Sequence, residues 1–163
     1  MSLRIRVALV AMLSVTIAAV LAVSAHARPL LLQNGSPSLP PGTYLLTTAQ
    51  PSKGAVVAIA QPRLGRPYLA SLGYRRDTLL LKRVAAQGGD AVCAAGDALQ
   101  INGQVFRRRF ADRTGHALPS WNGCRRLAAH ELMLLGDTAS SFDGRYFGPV
   151  DRAAVVGVYR RLG

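Results

Sequence analysis

This chain has few of the residues that most often carry chemistry. Its 163 residues include three histidines, two cysteines and two lysines, and only 6% are aromatic. His26, His116 and His130 are isolated, and no HExxH pattern occurs, which excludes that helical zinc site. No GxSxG elbow is present, so a nucleophile of the α/β-hydrolase kind is excluded. Cys93 and Cys124 lack a neighbouring cysteine or histidine at ligand spacing, and phosphate-binding glycine patterns are missing. No metal and no cofactor are therefore expected. Beyond residue 25 no run is long and apolar enough to span a bilayer, and there is no internal repeat.

What the chain has in excess is positive charge. The formal net charge is +12, and apart from Lys53 and Lys82 every cationic side chain is arginine. The runs are Arg107-Arg108-Arg109, Arg125-Arg126 and Arg160-Arg161. A genome-wide preference for arginine explains this composition; attraction to an anionic surface, such as phospholipid, is the functional alternative. No aromatic residues interleave with the arginines to provide stacking platforms, so no nucleic-acid partner is expected.

The N-terminus bears on compartment. Arg4 and Arg6 precede an uncharged, mostly apolar run from Val7 to Ala25, with His26 and Arg28 following. At about 1.5 Å per residue this run approaches the ~30 Å hydrocarbon core of a bilayer. Its length favours a retained transmembrane helix, while Ala25-His26-Ala27 has the small-x-small form of a signal cleavage site. The flanking arginines predict a cytoplasmic N-terminus. Residues 1–27 are thus read as anchor or signal segment, and residues 28–163 as one exported domain with room for a single core. Export suits a disulfide between Cys93 and Cys124, the alternative being two separate buried thiols. In the chain-entropy model such a link contributes about 3–4 kcal/mol.

The exported part reads as mainly antiparallel β, in a barrel-like or sandwiched arrangement. Short apolar runs bounded by Pro and Gly predict strands over Thr43–Thr48, Gly54–Ala60, Thr78–Ala85, Glu131–Leu135 and Ala153–Tyr159. Asn102-Gly103 within Ala98–Phe106 is a strong hairpin signal. Arg28–Gln33 reads as a connector, and Pro67–Arg76 as a loop.

Three segments hold candidate chemistry. Ser36-Pro37-Ser38-Leu39-Pro40 presents two hydroxyls on a proline-braced loop. Leu79-Leu80-Leu81-Lys82-Arg83-Val84 sets a lysine among leucines, where desolvation lowers its pKa toward that of a general base. Composition alone makes each ordinary: a turn of serines, and a strand lysine facing solvent. The third segment, residues 136–150, gathers Asp137, Ser140, Ser141, Asp143 and Arg145 in a turn-rich stretch, where Asp143 and Arg145 need do no more than tie a loop together.

Taken in order, these segments resemble the signal peptidase superfamily, and in detail its TraF-type conjugative-transfer branch. The likeness runs through residues 34–44, through Leu81-Lys82-Arg83-Val84 with Gly89-Asp90-Ala91-Val92-Cys93, and through Ile101-Asn102-Gly103. It continues with Gly115-His116-Ala117-Leu118-Pro119, Gly123-Cys124, Gly136-Asp137, residues 141–150 and Val156-Gly157-Val158. The resemblance implies a signal-peptidase-like β catalytic domain behind one N-terminal transmembrane helix. It implies Ser38 as nucleophile and Lys82 as general base, with the Ser38 amide and Ser36 hydroxyl as oxyanion donors. Ser141 then orients the lysine, Asp143 is the acidic residue that TraF-type enzymes need, and Arg145 is its ion-pair partner; Asp137 is structural. The chain departs from the family pattern at Gly144, where serine is common, at Gly88, where proline is, and at Thr138, where asparagine is. Gly144 is expected to loosen the loop around Asp143.

The implied activity is that of a monomeric, inner-membrane serine endopeptidase with its catalytic domain in the periplasm. Its substrate would be an exported precursor, foremost a conjugative pilin, matured with or without cyclisation. A general leader peptidase is the enzymatic alternative, and a basic, non-catalytic exported binding protein the alternative from another class.

Overall fold

The computed structural model describes residue 12 and residues 28–163. Apart from residue 12, the anchor or signal segment expected over residues 1–27 lies outside the described residues. Among the described residues no helix is long and apolar enough to cross a membrane.

The strands are β1 (Leu31–Asn34), β2 (Gly42–Thr47), β3 (Val56–Ile59), β4 (Leu80–Gln87), β5 (Ala91–Ala95), β6 (Ala98–Ile101), β7 (Gln104–Arg107), β8 (Gly123–Arg126), β9 (Glu131–Leu135), β10 (Val150–Asp151) and β11 (Val155–Arg161). They form a seven-stranded sheet, ordered β1-β2-β11-β3-β4-β9-β10, and a four-stranded sheet, ordered β7-β6-β5-β8. The pairings within both sheets are antiparallel, as the sequence leads one to expect.

β3 and β4 carry the architecture. Successive side chains of a strand point to opposite faces. In β4 this sends Leu80, Lys82, Val84 and Ala86 inward, and leaves Leu81, Arg83, Ala85 and Gln87 half-buried. Lys82 lies opposite Val57 of β3. Leu80 and Val84, its neighbours on that face, belong to a core with Val57, Ile59, Leu132, Leu134, Phe147 and Val158. A second core joins the sheets: Ala86, Met133 and Leu135 pack with Val92, Ala94, Leu99 and Ile101. A third, with Leu39, Tyr44, Ala58 and Tyr159, is separate from both.

The hairpin between β6 and β7 turns at Asn102 (φ 48°) and Gly103 (φ 86°), the left-handed pair that a two-residue type I′ turn requires. Cys93 and Cys124 face each other across β5 and β8 and are joined by a disulfide.

Two stretches differ from what the sequence leads one to expect. Pro67 to Ser71 of the stretch read as a loop belong to a helix, α1 (Arg66–Ser71). Pro67 sits in its first turn, where the missing N–H costs nothing, and Gly73 (φ 79°) follows its end. Six residues with one buried side chain, Leu69, are too few to display a helical period. β1 occupies Leu31–Gln33 of the stretch read as a connector, and β5, β8 and β10 also go beyond the expected strands. β5 is alanine-rich and β8 is exposed throughout, so neither shows clear apolar alternation.

Candidate active site

The Ser38 loop is built around Asn34, the last residue of β1. Its side-chain amide donates to the carbonyls of Ser36 (3.1 Å), Leu39 (3.0 Å) and Pro40 (3.2 Å). Its oxygen accepts from the Ser36 amide at 3.2 Å. An asparagine can replace strand pairing with local bonds of this kind, and prolines at 37, 40 and 41 restrict the chain between them. Leu39 is fully buried with Tyr44, Ala58 and Tyr159, and the Tyr44 hydroxyl donates to the Pro40 carbonyl at 2.7 Å. Ser38 is held just before this anchor and is 8% exposed. Its amide donates to the Ser36 hydroxyl oxygen at 3.3 Å, so the two groups suited to hold an oxyanion are engaged with each other at rest.

Ser38 and Lys82 line one cleft of about 300 Å³, together with Leu32, Asn34, Ser36, Leu69, Leu80 and Phe142. Lys82 is 4% exposed. Burial pushes its ammonium down from 10.5 to about 8; Asp143 opposes that shift and Arg145 adds to it. Among the described residues no hydrogen bond joins Ser38 to Lys82, which is common before a substrate is bound.

The segment after β9 folds around a buried ion pair. Asp143 is completely buried, and its two oxygens accept from Arg145 Nε (2.9 Å) and Nη2 (2.7 Å) and from the amides of Arg145 (3.1 Å) and Gly136 (2.8 Å). The Arg145 guanidinium also donates to the carbonyls of Thr138, Ala139 and Ser141. Asp143 thus fixes the segment and acts on Lys82 through its field. Asp143 caps α2 (Gly144–Phe147), a single helical turn.

Gly136 carries this segment past the Ser38 loop. A Cβ on it would lie 2.2 Å from Ser141 Oγ and 2.8 Å from the Ser38 carbonyl oxygen. Ser141 Oγ is buried there without a hydrogen-bond partner. The Asp137 amide donates to the Ser38 carbonyl at 2.6 Å, while its side chain pairs with Arg83 on the outer face of β4 at 2.8 Å.

Gly144 does not loosen this segment. A Cβ there would stand 2.6 Å from Met133 Sδ and 2.7 Å from the Leu134 carbonyl oxygen. Its absence lets α2 press on β9.

The model of the family described as signal peptidase, peptidase S26, matches residues 4–162. The chain belongs to that family. Two similar proteins, each named plasmid transfer protein TraF and each from Escherichia coli, are 34% and 33% identical over 145 residues. The match covers 78% of this chain and 79% of each relative. A signal peptidase I from Enterococcus faecalis is 21% identical with a TM-score of 0.41, over 69% of this chain and 98% of that one. Membership gives this peptidase its class, a serine peptidase, and its likeness to the TraF proteins is in keeping with the resemblance read from its motifs.

Ser36, Ser38 and Lys82 share the cleft of this peptidase. Asp143, Arg145 and Ser141 form the buried support beside it, and Cys93–Cys124 belongs to the small sheet. Asn34 is the positioning residue that sequence reasoning missed. The signal available was an asparagine opening a Pro/Gly/Ser turn, which marks a side-chain-capped loop but not what the loop holds.

Proposed function

We propose that this peptidase cleaves an exported precursor with Ser38 as nucleophile and Lys82 as general base. One observation carries the reading: a lysine brought down to about 8 by burial lines the same cleft as a serine on a rigid loop. A neutral Lys82 Nζ takes the Ser38 Oγ proton as the oxygen attacks the scissile carbonyl. The Ser38 amide, released from Ser36, and the Ser36 hydroxyl then donate to the oxyanion. On collapse the C–N bond breaks, Lys82 gives its proton to the leaving nitrogen, and Ser38 holds the acyl group as an ester. If water attacks this ester, the acid is released. If an amine attacks, a new peptide bond forms and the Ser38 hydroxyl is restored.

The two TraF relatives are named plasmid transfer proteins, and on that ground we take the precursor to be a conjugative pilin. The catalytic domain works as a monomer on the periplasmic side of the inner membrane, held in its lipid by residues 1–27 with the N-terminus in the cytoplasm. The disulfide and the flanking Arg4 and Arg6 support that orientation.

The test is the intact mass of the candidate pilin produced with wild-type protein, with Ser38→Ala and with no enzyme. Wild type should shorten the pilin, and a product one water lighter than the linear shortened chain marks a ring. Shortening that persists with Ser38→Ala refutes the nucleophile.

A further inference from the structure

A second cleft, of about 340 Å³, lies beside the first. It is bordered by Pro37, Tyr68, Arg109, Arg113, Ser140 and Phe142 among others. The two clefts share Phe142, and neighbouring residues of the Ser38 loop and of α1 fall on either side. Pro37 and Tyr68 line the second; Ser38 and Leu69 line the first. Phe142 is a packed wall, its ring centroid 4.6 Å from that of Tyr68 and 5.7 Å from that of Phe147. A chain laid across Ser38 would run from one cleft into the other.

The second cleft differs in charge. Arg109 and Arg113 have no hydrogen bond or ion pair among the described residues. The one carboxylate in the cleft, Asp112, is already occupied: it accepts from the Tyr68 hydroxyl (3.0 Å), the Thr114 amide (2.8 Å) and hydroxyl (2.7 Å), and the His116 amide (3.0 Å). Thr114 foremost, with these other donors, holds the Asp112 carboxyl down at about 2. A third guanidinium, Arg108, is 6% exposed within electrostatic reach of Tyr146 in the cleft wall, and its Nη1 has no partner. An excess of unpaired guanidinium beside a filled carboxylate favours an anion, and the guanidinium fork suits a carboxylate.

We infer that the second cleft receives the leaving side of the cleaved peptide and that Arg109 and Arg113 bind a carboxylate on it. This rests on the Ser38 and Lys82 reading, and it takes the first cleft, walled by Leu32, Leu69, Leu79, Leu80 and Leu81, for the acyl side. The carboxylate is either the C-terminus of a short leaving segment or an acidic side chain within it. A substrate carrying one is selected through KM, because the contact lies away from the reacting atoms.

The test uses fluorescent peptides that share an acyl side and have leaving segments of increasing length. Each is made with a free C-terminal acid, as the amide, and as the amide with an internal glutamate. Wild type should favour the acid over the amide by about tenfold in KM, the size of two exposed charge-assisted contacts. High salt should narrow the gap. Arg109→Ala with Arg113→Ala should bring the ratio near one, while Arg160→Ala, which removes a charge outside the cleft lining at the end of β11, should keep it. Preference for the acid at one length identifies the terminus; preference for the glutamate peptide identifies a side chain. Equal KM values for all three forms overturn the inference, and if wild type but not Ser38→Ala cleaves them, the nucleophile stands. If nothing is cleaved, anisotropy of the uncut peptides still decides: tighter acid binding that the double variant loses supports the carboxylate site, and equal binding refutes it.

Discussion

Lys82 is a lysine in a leucine-lined interior, and on the proposed mechanism its titration links activity to stability. Burial lowers its pKa from 10.5 to about 8. The folded state therefore carries a penalty while the lysine is protonated. The penalty is full below about 8, diminishes as pH rises toward 10.5, and is gone above that. A shift of this size corresponds to about 3 kcal/mol. Lys82→Met should therefore be inactive yet more stable than wild type at neutral pH, with the gap in denaturation midpoint closing as pH rises. Wild-type kcat/KM should climb tenfold per pH unit and level off near 8 if, as proposed, the neutral lysine is the base. A profile that levels off near 6 would rule out the lysine as the base. Lys82 shows how little of a residue's environment its composition reveals. A lysine in a strand ordinarily faces water, and only the alternation of β4 against its core assigns it to the interior.

Among the elements, the short segments matter more than the long strands. α2 is one turn, yet it carries Arg145 and follows Asp143 directly. It fits because Gly144 has no side chain toward β9. Gly144→Ala sets a methyl against the Leu134 carbonyl and should cost about 1–3 kcal/mol of unfolding free energy by chemical denaturation. An unchanged midpoint would mean that the α2–β9 contact yields freely. Sequence alone suggested the opposite role, a glycine that loosens its loop, because its contacts come from a strand nine or more residues away. The long strands β4 and β11 and the Asn-Gly hairpin were legible, since local periodicity and turn chemistry define them. β8 was not, since it is exposed throughout and pairs with β5 by a backbone ladder and a cross-strand disulfide, with no apolar alternation to read.

Across the molecule, the disulfide and the cleft of Ser38 and Lys82 lie in different sheets. Cys93–Cys124 links β5 to β8 in the small sheet, whereas Lys82 stands on β4 of the large one. Reduction, or Cys93→Ser with Cys124→Ser, should lower stability by up to about 3–4 kcal/mol in a denaturant titration. Well below the unfolding transition, the Ser38 reaction should persist. Loss of activity without loss of stability would indicate that the small sheet takes part in substrate binding.

The sequence by itself determined the antiparallel β class, the hairpin at Asn102-Gly103, the peptidase family and the candidate nucleophile and base. These follow from local patterning and from ordered motifs, both of which a linear chain carries. Only the tertiary structure decided that Lys82 is buried in the cleft that Ser38 lines, that Asp143 is enclosed by Arg145 and Gly136, and that a cationic cleft adjoins it. Burial and field depend on segments far apart in the chain, and these come together only when the sheets pack.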